Sequence, residues 1–160
     1  MNKPFLIELP LTVKTYDIDF LNIVHNMVYI RWLEDLRFQM LADYLPLESL
    51  LAGGVSPVLL KTEIEYRWAV RLGDRAVGQM WMAELQNTRW IVEAEIKVGD
   101  KVAAWARQTG FFGNLQTLRP ARVPQALREK WQVMKQHKQG KRHKYLLVLM
   151  PIRVNLKHLH

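Results

Sequence analysis

Alternation of apolar and polar residues predicts five strands in this chain, and two other segments follow a helical period instead. The first strand is expected over residues 5–14, where Pro10 is typical of an edge strand or a bulge. Four more alternating segments follow the Gly53-Gly54 break, and they span residues 58–68, 76–85, 90–98 and 101–112. The turns between them are short, and Gly99-Asp100 is typical of a two-residue hairpin. Short turns between consecutive strands indicate an antiparallel meander.

A long helix is predicted over residues 27–44, with Asn26 as its N-cap. Large apolar residues recur every four positions along this segment, at Val28, Trp32, Leu36 and Met40. Few charged residues remain to face water, so the pattern predicts a helix that is buried on most of its sides. A second helix, on the surface, is expected over residues 124–135. A sheet that has to cover one long apolar helix belongs to the α+β class.

The positive charge is concentrated at the C-terminal end of the chain. The formal net charge is +8, yet residues 1–127 hold 14 Lys or Arg and 14 Asp or Glu. The remaining residues, 128–160, hold nine Lys or Arg and one Glu. We therefore expect one domain over residues 1–135 and a basic C-terminal extension, or peripheral strand, over residues 136–160. Specific nucleic-acid binding is not expected of the neutral domain, whereas contact of the extension with a membrane surface or a polyanion stays open.

Several classes of protein are excluded by composition. The chain has no cysteine, which rules out disulfides, thiolate catalysis and cysteine zinc sites. No run approaches the roughly 20 apolar residues that a membrane span needs. Glu8 and Pro10 interrupt the apolar start, so a secretory signal is not expected and a cytoplasmic location is.

The candidate chemistry lies immediately before the long helix. Asp17 and Asp19 are placed on one face of an extended segment, and the polar residues His25 and Asn26 follow at the helix start. The N–H groups of a first helical turn can bind a polarised carbonyl oxygen. A carboxylate across from them supplies the second group that acyl transfer needs. Taken singly, a loop acid or a histidine at a helix start more often has a structural role, so the interpretation depends on the combination.

Three motifs then occur in a characteristic order. They are Asp17-Ile-Asp19, Tyr29-Ile-Arg-Trp-Leu-Glu34 with Arg37, and Glu63-Ile-Glu-Tyr-Arg followed by Val70-Arg-Leu-Gly-Asp74. With the ending Arg119-Pro-Ala-Arg-Val-Pro, they resemble the 4-hydroxybenzoyl-CoA thioesterase-like group of the hotdog-fold superfamily over about residues 8–130. The resemblance implies a hotdog fold, in which an antiparallel sheet wraps around a long helix. The chain departs from the family at Asn22, where a glycine is usual, and asparagine tolerates a left-handed backbone better than most residues.

The resemblance implies an acyl-CoA thioesterase in which Asp19 attacks the thioester carbonyl or activates a water molecule. The backbone N–H of Asn26 would polarise that carbonyl, with His25 beside it, and Asp17 would be a supporting acid. The substrate-binding candidates are Asn22, Tyr29, Arg119 and Arg122, with Lys97 and Arg107 as further possible contacts for the CoA phosphates. In the family the active site forms between subunits, so a homodimer or homotetramer is implied, without a metal or cofactor. A helical i,i+3 ion pair is expected between Glu34 and Arg37.

Two other functions stay open from the sequence. An acyl-carrier-protein thioesterase is favoured by the pair His25-Asn26, which is similar to a His/Asn pair near the helix start of those enzymes. A non-catalytic acyl-CoA-binding hotdog protein is favoured by Asn22, because its side chain narrows the approach that glycine leaves open.

Overall fold

The computed structural model describes the backbone of residues 2–148 and the side chains of residues 2–136. Within these residues, five strands form one antiparallel sheet. The elements are β1 (Ile7–Thr12), α1 (Asn26–Tyr44), α2 (Leu47–Ala52), β2 (Val55–Tyr66), β3 (Arg75–Leu85), β4 (Arg89–Val98), β5 (Lys101–Asn114) and α3 (Gln125–Val148). The strand order is β1-β3-β4-β5-β2, so β1 and β2 are the two edges. The predicted α+β class and the five antiparallel strands are confirmed. The predicted meander is confirmed for β3, β4 and β5 but is wrong for β2, which pairs with β5 and not with β3.

Small residues on the inner face of the sheet let α1 lie close to it. They are Ala76, Gly78, Ala94, Ala104 and Ala106, all of them buried. Leu36 of α1 is fully buried above Gly78, where a Cβ atom would stand 2.9 Å from a Leu36 methyl group. The helix supplies the large side chains of this interface and the sheet supplies the space. Close packing of this kind stabilises the fold through buried apolar area.

One face of α1 is open in the single chain. Val28, Trp32, Leu33 and Leu36 are buried against the sheet. The opposite face exposes apolar side chains, and Met27, Ile30 and Phe38 are 74%, 46% and 52% exposed. The prediction of a helix buried on most sides is therefore wrong for the single chain. In the single chain the sheet covers one face of α1.

The last helix is longer than the sequence pattern predicted. Its backbone continues past Lys135 to Val148, so the predicted end of the helix is wrong. The proposed peripheral strand is also wrong for residues 145–148, which are helical, and its remainder lies outside the described residues. Lys, Gln and Arg dominate residues 135–144, and these residues favour helix over an irregular extension. In the part of the chain that the structure describes, no helix is long and apolar enough to span a bilayer.

Candidate active site

A tight loop returns the chain from β1 to the start of α1. Ile18 and Val24 form an isolated antiparallel bridge across this loop. Beside the bridge, the Asp19 N–H donates to the carbonyl oxygen of Ile23 at 2.9 Å. Asn22 lies near the tip with a φ of 59°, a left-handed conformation that asparagine tolerates better than most residues. Asparagine therefore occupies a position that requires a left-handed backbone.

Asp19 is both a structural residue of this loop and an accessible carboxylate. Its Oδ1 accepts hydrogen bonds from the N–H groups of Leu21 at 2.8 Å and Ile23 at 3.3 Å. Among the described residues, its Oδ2 has no hydrogen bond or ion pair, and the side chain is partly exposed. The backbone therefore fixes one oxygen while the other stays available to a ligand.

Asp17 has a different environment, although it is only two residues away. Its side chain is buried, with 1% exposed, and it accepts from the Lys14 N–H at 2.9 Å and from the Arg31 guanidinium at 2.5 Å. Burial alone would raise the pKa of Asp17, but these two partners outweigh burial and hold the pKa below its ordinary value. The two acids do not form a joint site, because Asp17 is engaged in the interior by Arg31 of α1.

The N-cap of α1 is His25, one residue earlier than predicted. His25 has an extended backbone, and its Nδ1 accepts a long hydrogen bond of 3.4 Å from the Met27 N–H. Asn26 is the first helical residue and is exposed, so the prediction of Asn26 as the cap is wrong. The Asn26 N–H is one of the first-turn donors, and it donates no hydrogen bond within the described residues. The position proposed to polarise a carbonyl is thus open.

Tyr29 lies beneath the loop and not on its surface. Its side chain is 3% exposed, and its ring makes edge contacts with Trp32 and Tyr66 at centroid distances of 5.3 and 5.1 Å. Burial, with a smaller effect from Tyr66, raises the pKa of Tyr29 to about 12, while a hydrogen bond with the Val70 backbone opposes the rise. The Val70 carbonyl also accepts from the Val24 N–H at 2.8 Å. Tyr29 and Val70 together support the loop from below.

The four basic candidates lie away from Asp19 in the single chain. Arg119 and Arg122 are exposed on the loop after β5, and Pro120 of that loop bridges to Gly113. This loop adjoins the start of β2, at the end of the sheet opposite the Asp19 loop. Lys97 and Arg107 lie on the outer face of the sheet and form ion pairs with Glu95 and Glu93, each at 3.0 Å. The structure does not bring any of the four to Asp19 within one chain.

Arg37 is held by a partner that the sequence pattern did not identify. Its Nη1 donates to the Gln108 side chain at 2.6 Å, and Gln108 in turn donates to the Thr62 hydroxyl at 3.0 Å. Within the described residues Glu34 and Arg37 form no ion pair, so the predicted i,i+3 pair is wrong. The sequence could have identified Gln108, because it is a polar residue at a position of β5 where the alternation predicts a buried apolar one. The Asp17–Arg31 pair had no comparable local signal.

No group of three or more His, Cys, Asp or Glu side chains is arranged to hold a metal ion in the described part of the chain.

Solved structures similar to this chain include several thioesterases. A Thermus thermophilus thioesterase complexed with coenzyme A and Zn is 23% identical, with a TM-score of 0.70, over 84% of this chain and 96% of that chain. A probable thioesterase from Escherichia coli, YbaW, is 23% identical, with a TM-score of 0.69, over 81% and 97%. A Staphylococcus aureus protein solved in complex with CoA is 20% identical, with a TM-score of 0.74, over 84% and 85%. These similarities show the hotdog fold.

Sequence comparison points to the same group. Comparison with curated proteins gives no significant match. The model of the thioesterase-like superfamily matches residues 13–131, which is most of the chain and includes the Asp19 loop, α1 and strands β2 to β5. Together with the hotdog architecture, this match shows that the chain belongs to the thioesterase-like superfamily.

Proposed function

We propose that this protein hydrolyses acyl-CoA thioesters and that Asp19 is the catalytic carboxylate. The observation that carries the proposal is the paired loop, which sets Asp19 beside the segment that enters α1. Asp19 is paired with Ile23, three residues before Asn26. We infer that its accessible oxygen reaches a thioester bound at the first turn of the helix. The CoA found with the Thermus thermophilus and Staphylococcus aureus neighbours supports CoA as the carrier of the acyl group.

The chemistry requires a base or nucleophile and a group that stabilises negative charge on the carbonyl oxygen. Asp19 would either take a proton from a water molecule that attacks the carbonyl, or attack the carbonyl itself and form an acyl anhydride that water then hydrolyses. On both routes the CoA thiolate would leave. The Asn26 N–H would donate to the developing oxyanion. A positioned general base contributes about 10²–10⁴ in rate. One oxyanion donor contributes about 10²–10³. The proposal assigns no step to a metal.

The neighbouring candidates have supporting roles in this proposal. His25 uses Nδ1 as a hydrogen-bond acceptor for the helix start, so only its Nε2 would face a ligand. Asn22 would line the entrance, since it is exposed at the tip of the loop. Tyr29 would act by holding the loop, because it is buried and has no access to a ligand in the single chain.

The experiment that tests the proposal compares the wild type with Asp19→Asn on short, long and aromatic acyl-CoA thioesters. Asparagine keeps an oxygen acceptor for the Leu21 N–H, so the loop is retained while the charge is removed. We expect the hydrolysis rate to fall by about 10²–10⁴ with an unchanged melting temperature. An Asp19→Asn variant that hydrolyses these thioesters as fast as the wild type would falsify the proposal.

The same assay separates the two alternative functions. Matched acyl-carrier-protein thioesters are run beside the CoA thioesters, and a carrier-protein thioesterase would prefer the former. A non-catalytic acyl-CoA-binding protein would show no turnover above the Asp19→Asn background but would still bind the acyl-CoA.

A cytoplasmic location remains a prediction from the sequence.

We also propose that the active site is completed by a second copy of the chain. Edge strand β2 offers twelve residues without a neighbour on one side among the described residues. It exposes Leu60 and Tyr66, which are 56% and 45% exposed, and the open face of α1 is apolar as well. Two copies that pair β2 antiparallel around a two-fold axis would place the start of one strand beside the end of the other. The Arg119 loop of one copy would then approach the Asp19 loop of its partner.

Mixing two inactive variants tests this arrangement. One variant is Asp19→Asn, and the other carries both Arg119→Gln and Arg122→Gln, which we expect to weaken CoA binding. If each site uses Asp19 from one copy and the arginines from the other, mixed dimers regain one intact site. An equal mixture then recovers about a quarter of the wild-type rate. If the site lies within one chain, mixing recovers nothing.

A further inference from the structure

The last helix, α3, begins as part of the domain and continues beyond its first contacts. Near its start, Leu127 and Trp131 are buried. Lys130, between them, donates to the carbonyl oxygen of Tyr44 at the end of α1. The helical backbone then continues without interruption to Val148. The second half of α3 is therefore the continuation of a helix whose start is fixed to the domain.

This second half contains a basic segment, residues 138–144. Its four charged residues are all basic, and they are Lys138, Lys141, Arg142 and Lys144. Residues 1–127, in contrast, balance 14 Lys or Arg with 14 Asp or Glu. A helix rises about 1.5 Å per residue, so the four charges span about 9 Å along the axis. Charges this close act together on a partner, because the Debye length at physiological ionic strength is about 8 Å.

An apolar segment, Tyr145 to Val148, follows the basic segment directly on the same helix. A nucleic acid would match the basic segment alone, since phosphate contacts dominate its affinity for proteins. A bilayer of anionic lipids presents negative headgroups and, immediately beneath them, hydrocarbon. The two adjacent segments match these two layers of a bilayer. Their order along one helix therefore favours a lipid surface over a polyanion.

We propose that residues 138–148 of α3 bind the surface of a membrane that contains anionic lipids. The basic segment contacts the phosphate-bearing headgroups, and the apolar segment enters the boundary between the headgroups and the acyl chains. These residues form about 16 Å of helix, so they lie on a bilayer whose hydrocarbon core is roughly 30 Å thick and do not cross it. The start of α3 then holds the domain at the surface. Binding of this kind does not require Asp19 or thioester hydrolysis.

Sedimentation of the full-length protein with lipid vesicles tests the proposal. One set of vesicles contains phosphatidylcholine alone, and the other contains phosphatidylcholine mixed with the anionic lipid phosphatidylglycerol. We expect the wild type to bind the mixed vesicles at least about tenfold more tightly than the neutral ones, and high salt to reduce that preference. This comparison needs no variant. Equal binding to the two sets, or no binding to either, would overturn the proposal.

A matched pair of fourfold variants locates the binding surface. One variant replaces the four basic residues of the basic segment with Gln. The control replaces four exposed basic residues of the domain with Gln, and they are Lys61, Arg75, Arg89 and Lys101. Each basic residue near an anionic surface strengthens binding about fivefold, so the first variant should bind mixed vesicles at least about a hundredfold more weakly than the control. Equal weakening in the two variants would show that net charge alone is responsible and would overturn the proposal.

A third variant, with Leu146→Ser and Leu147→Ser, separates a lipid surface from a polyanion. We expect it to bind mixed vesicles about tenfold more weakly than the wild type, because less apolar area enters the bilayer. Its binding to a DNA duplex should equal that of the wild type. Unchanged binding to the vesicles, together with tighter wild-type binding to the duplex, would assign the basic segment to nucleic acid and overturn the proposal.

Discussion

Two charged side chains beside the two halves of α1 are held in opposite ways. At the N-terminal end, the Asp19 carboxylate is fixed by N–H groups of its own loop and is partly exposed. In the C-terminal half of the helix, the Arg37 guanidinium is fixed by the buried Gln108 side chain at the wall of an apolar cavity, which Trp90 also lines. The Asp19 carboxylate is held by the local backbone, and the Arg37 guanidinium by a side chain that is distant in sequence.

This difference predicts how each end responds to mutation. A loop held by backbone hydrogen bonds keeps its path when a side chain is exchanged, so chemistry can be lost there while stability is retained. A cavity formed by packing depends on every side chain of its wall, so stability and binding change together. We therefore expect substitutions in the Asp19 loop to leave stability nearly unchanged and substitutions in the cavity wall to lower it.

The largest effect on stability is expected from Gly110→Ala. The new Cβ would stand 2.1 Å from the Trp90 ring and 2.3 Å from the Val58 carbonyl oxygen, and the latter belongs to the backbone of the neighbouring strand. We expect a loss of about 3 kcal/mol in the free energy of unfolding, measured by urea denaturation. Gly78→Ala is the control, because its nearest neighbours are Leu36 and Leu11 methyl groups, which can move. Equal losses for the two variants would show that the cavity wall is less rigid than proposed.

A smaller effect is expected from Asp17→Asn, and it sharpens the contrast with Asp19→Asn. Asp17 is buried against Arg31, so Asp17→Asn should cost about 1–3 kcal/mol, whereas Asp19→Asn should leave stability nearly unchanged. The pKa of Asp17 is lower in the folded state, so its ionised form stabilises the fold above about pH 4. That contribution is lost as the pH falls through the folded-state pKa. Denaturation curves should therefore give free energies of unfolding for the wild type and Asp17→Asn that converge as the pH is lowered. A difference between the two that grows at low pH would contradict this assignment.

The smallest effect is expected from Tyr29→Phe. The change removes the hydroxyl that bonds with the Val70 backbone but keeps the ring contacts with Trp32 and Tyr66. We expect a loss of about 1 kcal/mol in thermal unfolding. Ultraviolet titration should also lose one phenol ionisation at about pH 12. A loss of activity much larger than the loss of stability would mean that Tyr29 contacts the substrate directly.

The sequence determined much of the local structure. The alternation of residues identified the five strands, the four-residue period identified α1, and the Gly99-Asp100 turn was placed correctly between β4 and β5. The left-handed backbone of Asn22 also followed from local chemistry. These features depend on residues that are adjacent in the chain, because strand period, helix period and turn conformation are set by near neighbours.

Only the tertiary structure decided which charges meet and which faces stay open. Arg31 reaches Asp17 and Arg37 reaches Gln108 because α1 lies in one particular position on the sheet, and no spacing in the sequence encodes that position. The apolar face of α1 indicated burial, yet the structure leaves Phe38 and Ile30 exposed in the single chain. An apolar pattern predicts that a surface is buried but does not identify what covers it, because the hydrophobic effect is non-directional.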